Sequence, residues 1–238
     1  MTGGYRVLPL RCATCGADLP VMGQIVAFRC ERCFSHWILA GEGLVPLAVH
    51  RARVPGDEEE EIIHLPFWLI EIERARLAAL VEETLAAGRV GSAVAAAARH
   101  LVAGIEAAER WRVHVPAFHA PNPAACLTLG RLFTGRQPAA RIERAEGPGR
   151  AALCAMRAAD ALLLADVVFL AHLPGTVGEN PVLAGALRVE PAAAPWLVEY
   201  PFARRGPDLV SLAGGIAVPM SMIAPKGTRP PAAPAGRK

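Results

Sequence analysis

Four cysteines near the start of the chain constrain its fold more than any other feature. They form two Cys-x-x-Cys pairs, Cys12 with Cys15 and Cys30 with Cys33, which are separated by fourteen residues. Each pair can place two thiolates about 2.3 Å from one metal ion, so that the two pairs together complete a tetrahedron. A closed site of this kind has no open position for water or substrate. We therefore predict that the metal site is structural.

The identity of the metal has more than one interpretation. A pair of redox dithiols and an iron site of the rubredoxin kind remain alternatives, because four thiolates also suit iron. We predict one Zn²⁺ as the cofactor, since the spacing fits a structural zinc site closely. His36 lies three residues after Cys33 and could compete as a ligand. We interpret it as a strand residue, because four thiolates already complete the tetrahedron.

The two cysteine turns differ in the residue that follows them. Gly16 follows the first pair, at a position where a tight turn often requires a positive φ angle. Phe34 occupies the equivalent position after the second pair, which leaves the geometry of that turn open.

Alternating apolar segments at 23–28 and 34–39 flank the second cysteine pair, and the whole region 5–50 resembles a zinc ribbon. In that fold, two cysteine turns hold one Zn²⁺ at the base of a small sheet. The longer chain is similar to uncharacterised bacterial zinc-ribbon proteins through three short motifs, Leu65-Pro66-Phe67-Trp68, Pro116-Ala117-Phe118 and Tyr200-Pro201-Phe202. This resemblance implies an architecture and supplies no activity, catalytic residue or substrate.

Composition divides the chain into four predicted parts. Residues 1–55 form the ribbon, and residues 56–62 form a linker whose successive carboxylates at 57–61 repel one another and favour a solvated connection. Residues 62–224 form a larger mixed α/β domain. Residues 225–238 contain four prolines and four basic residues without apolar periodicity, which predicts a disordered tail.

The fold class predicted from these patterns is α+β, a small β ribbon followed by the mixed α/β domain. Predicted strands cover 62–72, 111–118, 167–173, 186–190, 196–202 and 209–213, and predicted helices cover 73–87, 92–110, a segment from 123, and 150–166. Asn122 before Pro123 is a favourable start for the third helix. Residues 111–116 match 196–201, which suggests duplicated helix–strand units, although shared strand propensity explains the match as well. Proline near the end of each matched strand predicts that the strand bends or ends there.

No catalytic constellation emerges from the remaining residues. Cys126 and Cys154 have apolar neighbours, which predicts buried and inert thiols. His114 alternates with apolar residues, so we expect it to point to solvent. Asp160 and Asp166 would point in different directions from one helix. A non-enzyme is therefore favoured.

The apolar content and the positions of the charged residues exclude some classes of protein. Apolar residues make up 53% of the chain, which excludes disorder throughout. The most apolar stretch, 151–173, contains Arg157, Asp160 and Asp166, and each charge costs about 2.5–3.5 kcal/mol at the centre of a bilayer. We predict no membrane span and, because no apolar signal-peptide segment precedes Arg11, a cytoplasmic location.

We predict a zinc-binding, non-enzymatic adaptor or protein-interaction protein. The ribbon strands and the surroundings of Trp68, Trp111 and Trp196 would pack between the modules of the chain or against a protein partner. A nucleic-acid-binding accessory factor is the first alternative, although residues 1–55 carry a net charge of only about +1 once four thiolates and Zn²⁺ are counted. An enzyme of unknown type in the larger domain is the second. The oligomeric state is not predicted.

Overall fold

The computed structural model describes residues 10–20, 25–40, 43–55, 62–108, 110–147 and 149–223. The predicted acidic run at 57–61 and the basic tail from 225 lie outside these residues. The described chain has a small antiparallel sheet with the cysteine cluster at its N-terminal end, followed by a larger mixed sheet with helices. The predicted fold class is confirmed.

The strands are β1 (Ala27–Arg29), β2 (His36–Ala40), β3 (Gly43–Pro46), β4 (Val49–Arg53), β5 (Ile62–Glu71), β6 (Arg112–Pro116), β7 (Arg141–Arg144), β8 (Trp196–Arg205), β9 (Asp208–Ser211) and β10 (Ala217–Pro219). The helices are α1 (Arg74–Ala86), α2 (Ser92–Ala107), α3 (Pro123–Arg136), α4 (Ala158–His172), α5 (Gly175–Gly178) and α6 (Pro181–Ala186), and a 3₁₀ turn spans Met220–Met222.

The larger sheet is organised around β8. Along one side β8 pairs antiparallel with β5 from Ile62↔Ala203 to Leu69↔Trp196, and β5 pairs in turn with β6. Along its other side β8 pairs in parallel with β4 in one half and antiparallel with β9 in the other. β7 extends the sheet beyond β4, and β10 extends it beyond β9. The matched segments 111–116 and 196–201 thus lie on β6 and β8, on either side of β5, while their duplication stays a hypothesis.

β4 links the small sheet to the large one. β1, β2 and β3 form the ribbon sheet, with Phe28 opposite Trp37 and Leu39 opposite Leu44. Only two residues separate β3 from β4, which lies in the larger sheet beside β8. The small sheet is therefore connected directly to the larger one.

Pro66 in β5 and Pro201 in β8 lie inside strands of the larger sheet. At each position the adjacent strand changes, so the backbone N–H that proline lacks is not needed for strand pairing. The carbonyl of Pro66 accepts from Ala117 N (2.9 Å), and on the same side His64 N donates to Arg150 O (2.8 Å), so β6 gives way to another segment at this position. Pro201 similarly lies between the part of β8 that pairs with β4 and the part that pairs with β9. β5 and β8 continue through Pro66 and Pro201 and do not end there, whereas β6 ends at Pro116.

Both faces of the central strands are buried. One apolar cluster combines Trp68, Ile70 and Val113 with α1, α2 and α4, and a second combines Leu65, Phe67 and the opposite face of β8 with α3. A Cβ atom at Gly130 would lie 2.9 Å from the carbonyl oxygen of His114, so glycine allows α3 to lie this close to β6.

Two predicted strands are absent from the described residues. Residues 167–173, predicted as a strand, belong almost entirely to α4, which begins at Ala158 and not near residue 150. Residues 187–190 follow α6 without a strand, and Val189 N donates to Asp166 Oδ1 (2.6 Å). No helix in the described part of the chain is long and apolar enough to cross a membrane.

Candidate metal centre

Each cysteine pair of the ribbon makes the same backbone turn. Gly16 N donates to Cys12 O (2.8 Å), and Phe34 N donates to Cys30 O (2.9 Å). Gly16 has φ = 72° and Phe34 has φ = 60°, so both turns close through a left-handed residue. This conformation costs roughly 1–2 kcal/mol for a residue with a Cβ atom. The geometry left open for the second turn is therefore equivalent to that of the first.

The two turns bring the four thiols together. The Sγ atoms of Cys12, Cys15, Cys30 and Cys33 all lie within 4.8 Å of one another, and those of Cys12 and Cys33 are 3.5 Å apart. Ligands at 2.3 Å around a tetrahedral ion lie about 3.8 Å apart, whereas the sulfurs of a disulfide lie about 2.05 Å apart. The cluster consists of free cysteines with a spacing that fits one tetrahedral metal ion.

Ser35 contacts the cysteine cluster through its hydroxyl group. Its Oγ lies 3.2 Å from Cys12 Sγ and 3.1 Å from Cys33 Sγ. Trp37 Nε1 donates to the same Oγ atom (2.9 Å), which leaves the hydroxyl hydrogen of Ser35 for a thiolate. Sequence analysis missed this role, although Ser35 stands two residues after a predicted ligand and could have been identified there.

The thiols do not ionise equally without a cation. Burial opposes ionisation of Cys12, but the hydrogen bond from Ser35 and backbone N–H groups outweigh it and lower the pKa to about 5. The backbone N–H of Ala17 favours the thiolate of Cys15, yet burial and the adjacent Cys30 outweigh that effect and raise its pKa to about 12. A divalent cation would offset the repulsion between neighbouring thiolates and hold all four cysteines in the deprotonated form.

His36 is the first residue of β2 and lies outside the cysteine cluster. Its side chain is 11% exposed, and Nε2 has no hydrogen-bond partner among the described residues, with Glu199 Oε1 3.9 Å away. Burial, together with the positive charges of Arg29 and Arg51, lowers the pKa of His36 to about 4. A neutral imidazole therefore faces the larger domain.

Arg29 of β1 binds the segment that follows β7. Arg29 donates through Nη2 to Gly147 O (2.7 Å) and through Nη1 to Gly149 O, and its guanidinium lies 5.0 Å from the centre of the Phe34 ring. Phe34 closes the second cysteine turn, and its ring stacks on the same Arg29 guanidinium that donates to Gly147. The second cysteine turn is therefore in contact with the side chain that binds Gly147 and Gly149.

The two thiols outside the cysteine cluster, which were predicted to be buried and inert, lie in different places. Cys126 lines a groove between α3 and α4, whereas Cys154 is buried and bridges to Ala27 of the ribbon. Burial raises the pKa of both thiols, that of Cys154 to about 11. Neither thiol has the environment of an activated nucleophile.

The expectation that His114 points to solvent is wrong. His114 is 2% exposed, its Nε2 lies 3.1 Å from the hydroxyl of Tyr200, and its backbone N donates to Thr134 Oγ1 (3.0 Å). Alternation places His114 opposite the apolar face of β6 as expected, but α3 covers this second face as well. The histidine therefore belongs to the core.

The tryptophans expected to pack between modules or against a partner are mostly buried. Trp68 is 3% exposed and donates through Nε1 to Met156 O (2.9 Å), and Trp111 is 7% exposed. Trp196 is 36% exposed, and the guanidinium of Arg112 lies 5.3 Å from its ring centre. Only Trp196 of these three reaches the surface.

The chain matches no protein-family model, no curated protein and no solved structure.

Proposed function

We propose that Cys12, Cys15, Cys30 and Cys33 bind one structural Zn²⁺ that folds the ribbon onto the larger domain. The observation that carries this proposal is the approach of all four Sγ atoms to within 4.8 Å of one another. A structural zinc site in a small module contributes about 10–16 kcal/mol of apparent binding free energy, which is enough to fold a segment with little core of its own. The ribbon core, which centres on Leu19, Phe28 and Trp37, is of that kind.

Elemental analysis of the purified full-length chain tests this proposal. We expect one zinc per chain, lost in Cys12→Ser and retained in Cys126→Ser, the matched control thiol in the groove between α3 and α4. Iron in place of zinc would support the rubredoxin-like alternative, and a metal-free, folded chain would contradict a metal-dependent ribbon.

The assembled protein would act as a non-enzymatic adaptor in the cytoplasm, where reducing conditions keep the four thiols available to the metal. Two exposed apolar side chains of the ribbon hairpin, Leu39 (37%) and Val45 (42%), support this part of the proposal. Within the described chain β3 pairs with β2 alone, so its second edge is open to a strand from a partner. The partner class we favour is a protein with an apolar strand or hairpin.

Variants of the hairpin distinguish an adaptor from a free-standing domain. Affinity purification from the source cell should recover a partner with the native chain and lose it with Val45→Asp. Thr128→Asp on the exposed side of α3 is the control that should retain the partner. Equal recovery by both variants would exclude the ribbon hairpin as the contact surface.

Nucleic-acid binding is less well supported. Two arginines of the ribbon region are already engaged within the molecule, Arg29 with backbone carbonyls and Arg51 with Glu199. A nucleic-acid surface needs basic side chains that reach phosphate, and its binding falls steeply with salt. Retention of labelled DNA or RNA at low salt and its release at high salt would revive this alternative.

A further inference from the structure

Arg29 lies between the second cysteine turn and the larger domain. It immediately precedes Cys30, and its guanidinium lies 5.0 Å from the centre of the Phe34 ring. The same guanidinium donates through Nη2 to Gly147 O (2.7 Å) and through Nη1 to Gly149 O. One side chain thus contacts both the turn that carries two of the four thiols and the segment that follows β7.

Phe34 depends on such a contact more than the residue at the equivalent position of the first turn. Both residues have a positive φ angle, but Gly16 has no Cβ atom, so only Phe34 bears the conformational cost. A residue in this region of φ and ψ stays there when its surroundings hold it in place. Phe34 N donates to Cys30 O (2.9 Å), and the guanidinium of Arg29 attracts the ring. The shape of the second turn therefore depends on the position of Arg29.

The larger sheet fixes the segment that Arg29 contacts. Residues 149–154, which we call the docking segment, exchange two backbone hydrogen bonds with His64 of β5. His64 N donates to Arg150 O (2.8 Å), and Ala152 N donates to His64 O (2.8 Å). Both bonds lie within the larger domain and do not involve the ribbon. The docking segment therefore offers Arg29 acceptors at a defined position.

A second contact joins the docking segment to β1. Cys154 O accepts from Val26 N (3.0 Å) and from Ala27 N (3.3 Å). The side chains of Ala27 and Cys154 are buried together in one apolar cluster. The Cys154 thiol is therefore covered in part by the ribbon.

We propose that Arg29 is a positioning residue through which the larger domain raises the metal affinity of the ribbon. This inference rests on the proposed four-cysteine metal site and concerns its regulation. The docking segment holds Arg29, and Arg29 holds Phe34, which closes the turn that presents Cys30 and Cys33. A site that already has its shape binds a metal more tightly, because fewer groups are ordered on binding. Coupling of this kind is reciprocal, so the metal also tightens the contact between the ribbon and the docking segment.

Competition between the full-length chain and a chromogenic chelator for Zn²⁺ measures this effect. Arg29→Met should lower the zinc affinity about 10-fold. Arg32→Met is the matched control, because Arg32 lies between Cys30 and Cys33, carries the same charge and is exposed. This control should bind zinc as the native chain does.

Three outcomes of the competition would overturn the proposal. Native affinity in Arg29→Met would show that the contact has no effect on the metal. Equal losses in Arg29→Met and Arg32→Met would assign the effect to positive charge near the thiolates. A native chain that binds no metal would contradict the four-cysteine site itself and this inference with it, whereas the other two outcomes leave that site intact.

A double-mutant cycle tests whether Arg29 acts through Phe34. Phe34→Gly removes both the ring and the conformational cost of the left-handed turn. Addition of Arg29→Met to this variant should therefore lower the zinc affinity by about twofold at most. A full 10-fold loss in the Phe34→Gly background would mean that Arg29 acts by another route, which would overturn its role in positioning Phe34.

Alkylation of Cys154 by iodoacetamide, followed by peptide mapping, tests the reciprocal effect. Zinc should slow the alkylation of Cys154 in the native chain about 10-fold, and Arg29→Met should reduce this protection. Cys126 is the internal control, because the groove that it lines includes no residue of the ribbon, and its alkylation rate should not change. A Cys154 thiol that reacts equally fast with and without zinc would contradict the coupling.

Discussion

Arg51 and Glu199 form an ion pair inside the protein, joining β4 to β8 where the ribbon meets the larger sheet. Arg51 Nη2 lies 2.8 Å and Nε lies 3.1 Å from Glu199 Oε2, and the side chains are only 4% and 6% exposed. Burying both charges is unfavourable in itself, but the attraction between them and the fork of hydrogen bonds offset that desolvation. The pair therefore specifies how the strand that leaves the ribbon aligns with β8.

Removing one charge of this pair should be far more damaging than removing an exposed one. Glu199→Gln keeps the shape of the side chain but leaves the Arg51 guanidinium buried without its carboxylate, which costs about 3–5 kcal/mol. The matched control is Glu82→Gln, whose partner Arg99 lies 2.8 Å away on the surface. Urea unfolding of the two variants should show a large loss for the first and little change for the second. Similar losses would mean that burial adds nothing to the Arg51–Glu199 pair.

A side chain at the left-handed turn of Gly16 should lower the stability of the protein. An added Cβ atom would meet nothing within 4 Å, so the cost of Gly16→Ala is conformational and comes to about 1–2 kcal/mol. Gly43→Ala is the matched control, since its Cβ atom also has open space but the backbone is not left-handed. Unfolding free energies measured for the metal-loaded proteins should fall for the first variant alone. No difference between the variants would contradict the turn geometry.

Ser35 should strengthen metal binding without being a ligand. Ser35→Ala removes the hydroxyl that lies close to the thiols of Cys12 and Cys33, and loss of such a supporting hydrogen bond lowers metal affinity by about 10–100-fold. Competition with a chromogenic chelator measures the affinity, and Ser92→Ala at the start of α2 serves as the control. Unchanged affinity would show that the hydroxyl has no part in holding the thiolates.

His114 should make the fold sensitive to acid. Burial, the largest cause, together with the charge of Arg112 lowers the pKa of His114 to about 3. The unfolded chain binds this proton near pH 6.5 while the folded chain does not. Stability is therefore lost as the pH falls from about 6.5 toward 3, by about 5 kcal/mol over the full range.

Replacing the histidine isolates its contribution to that pH dependence. Urea unfolding between pH 7 and pH 4 should show a shallower loss of stability for His114→Gln than for the native chain, while His100→Gln on the surface of α2 should follow the native curve. Parallel curves for all three proteins would rule out His114 as the cause.

Features that depend on local signals were predicted from the sequence. The cysteine spacing identified the thiols that the structure brings together. The alternating segment after residue 61 became β5, and the side chain of Asn122 accepts from Ala124 N (3.0 Å) at the start of α3 as its type suggests. Each of these features rests on a few neighbouring residues whose chemistry has one favourable arrangement.

Features that depend on contacts between distant parts of the chain were not predicted from the sequence. A run of apolar residues at 167–173 has no periodicity that separates a strand from a buried helix, and its packing against α3 and β6 decides for the helix. His114 was expected at the surface because one apolar face suggests a half-buried strand, whereas α3 covers the other face. The prolines in β5 and β8 are tolerated because their neighbouring strands change at those positions, which no local pattern reveals.

Hydrogen exchange of the native chain before and after treatment with a chelator measures whether a metal folds the ribbon. We expect chelation to expose the amides of β1 and β2 around Phe28 and Trp37 while those of β5 and β8 remain protected, because the metal holds the ribbon and the larger sheet has its own core. Readdition of Zn²⁺ should restore protection of the ribbon. Equal protection of β1 and β2 in the metal-depleted chain would contradict a ribbon that depends on its metal.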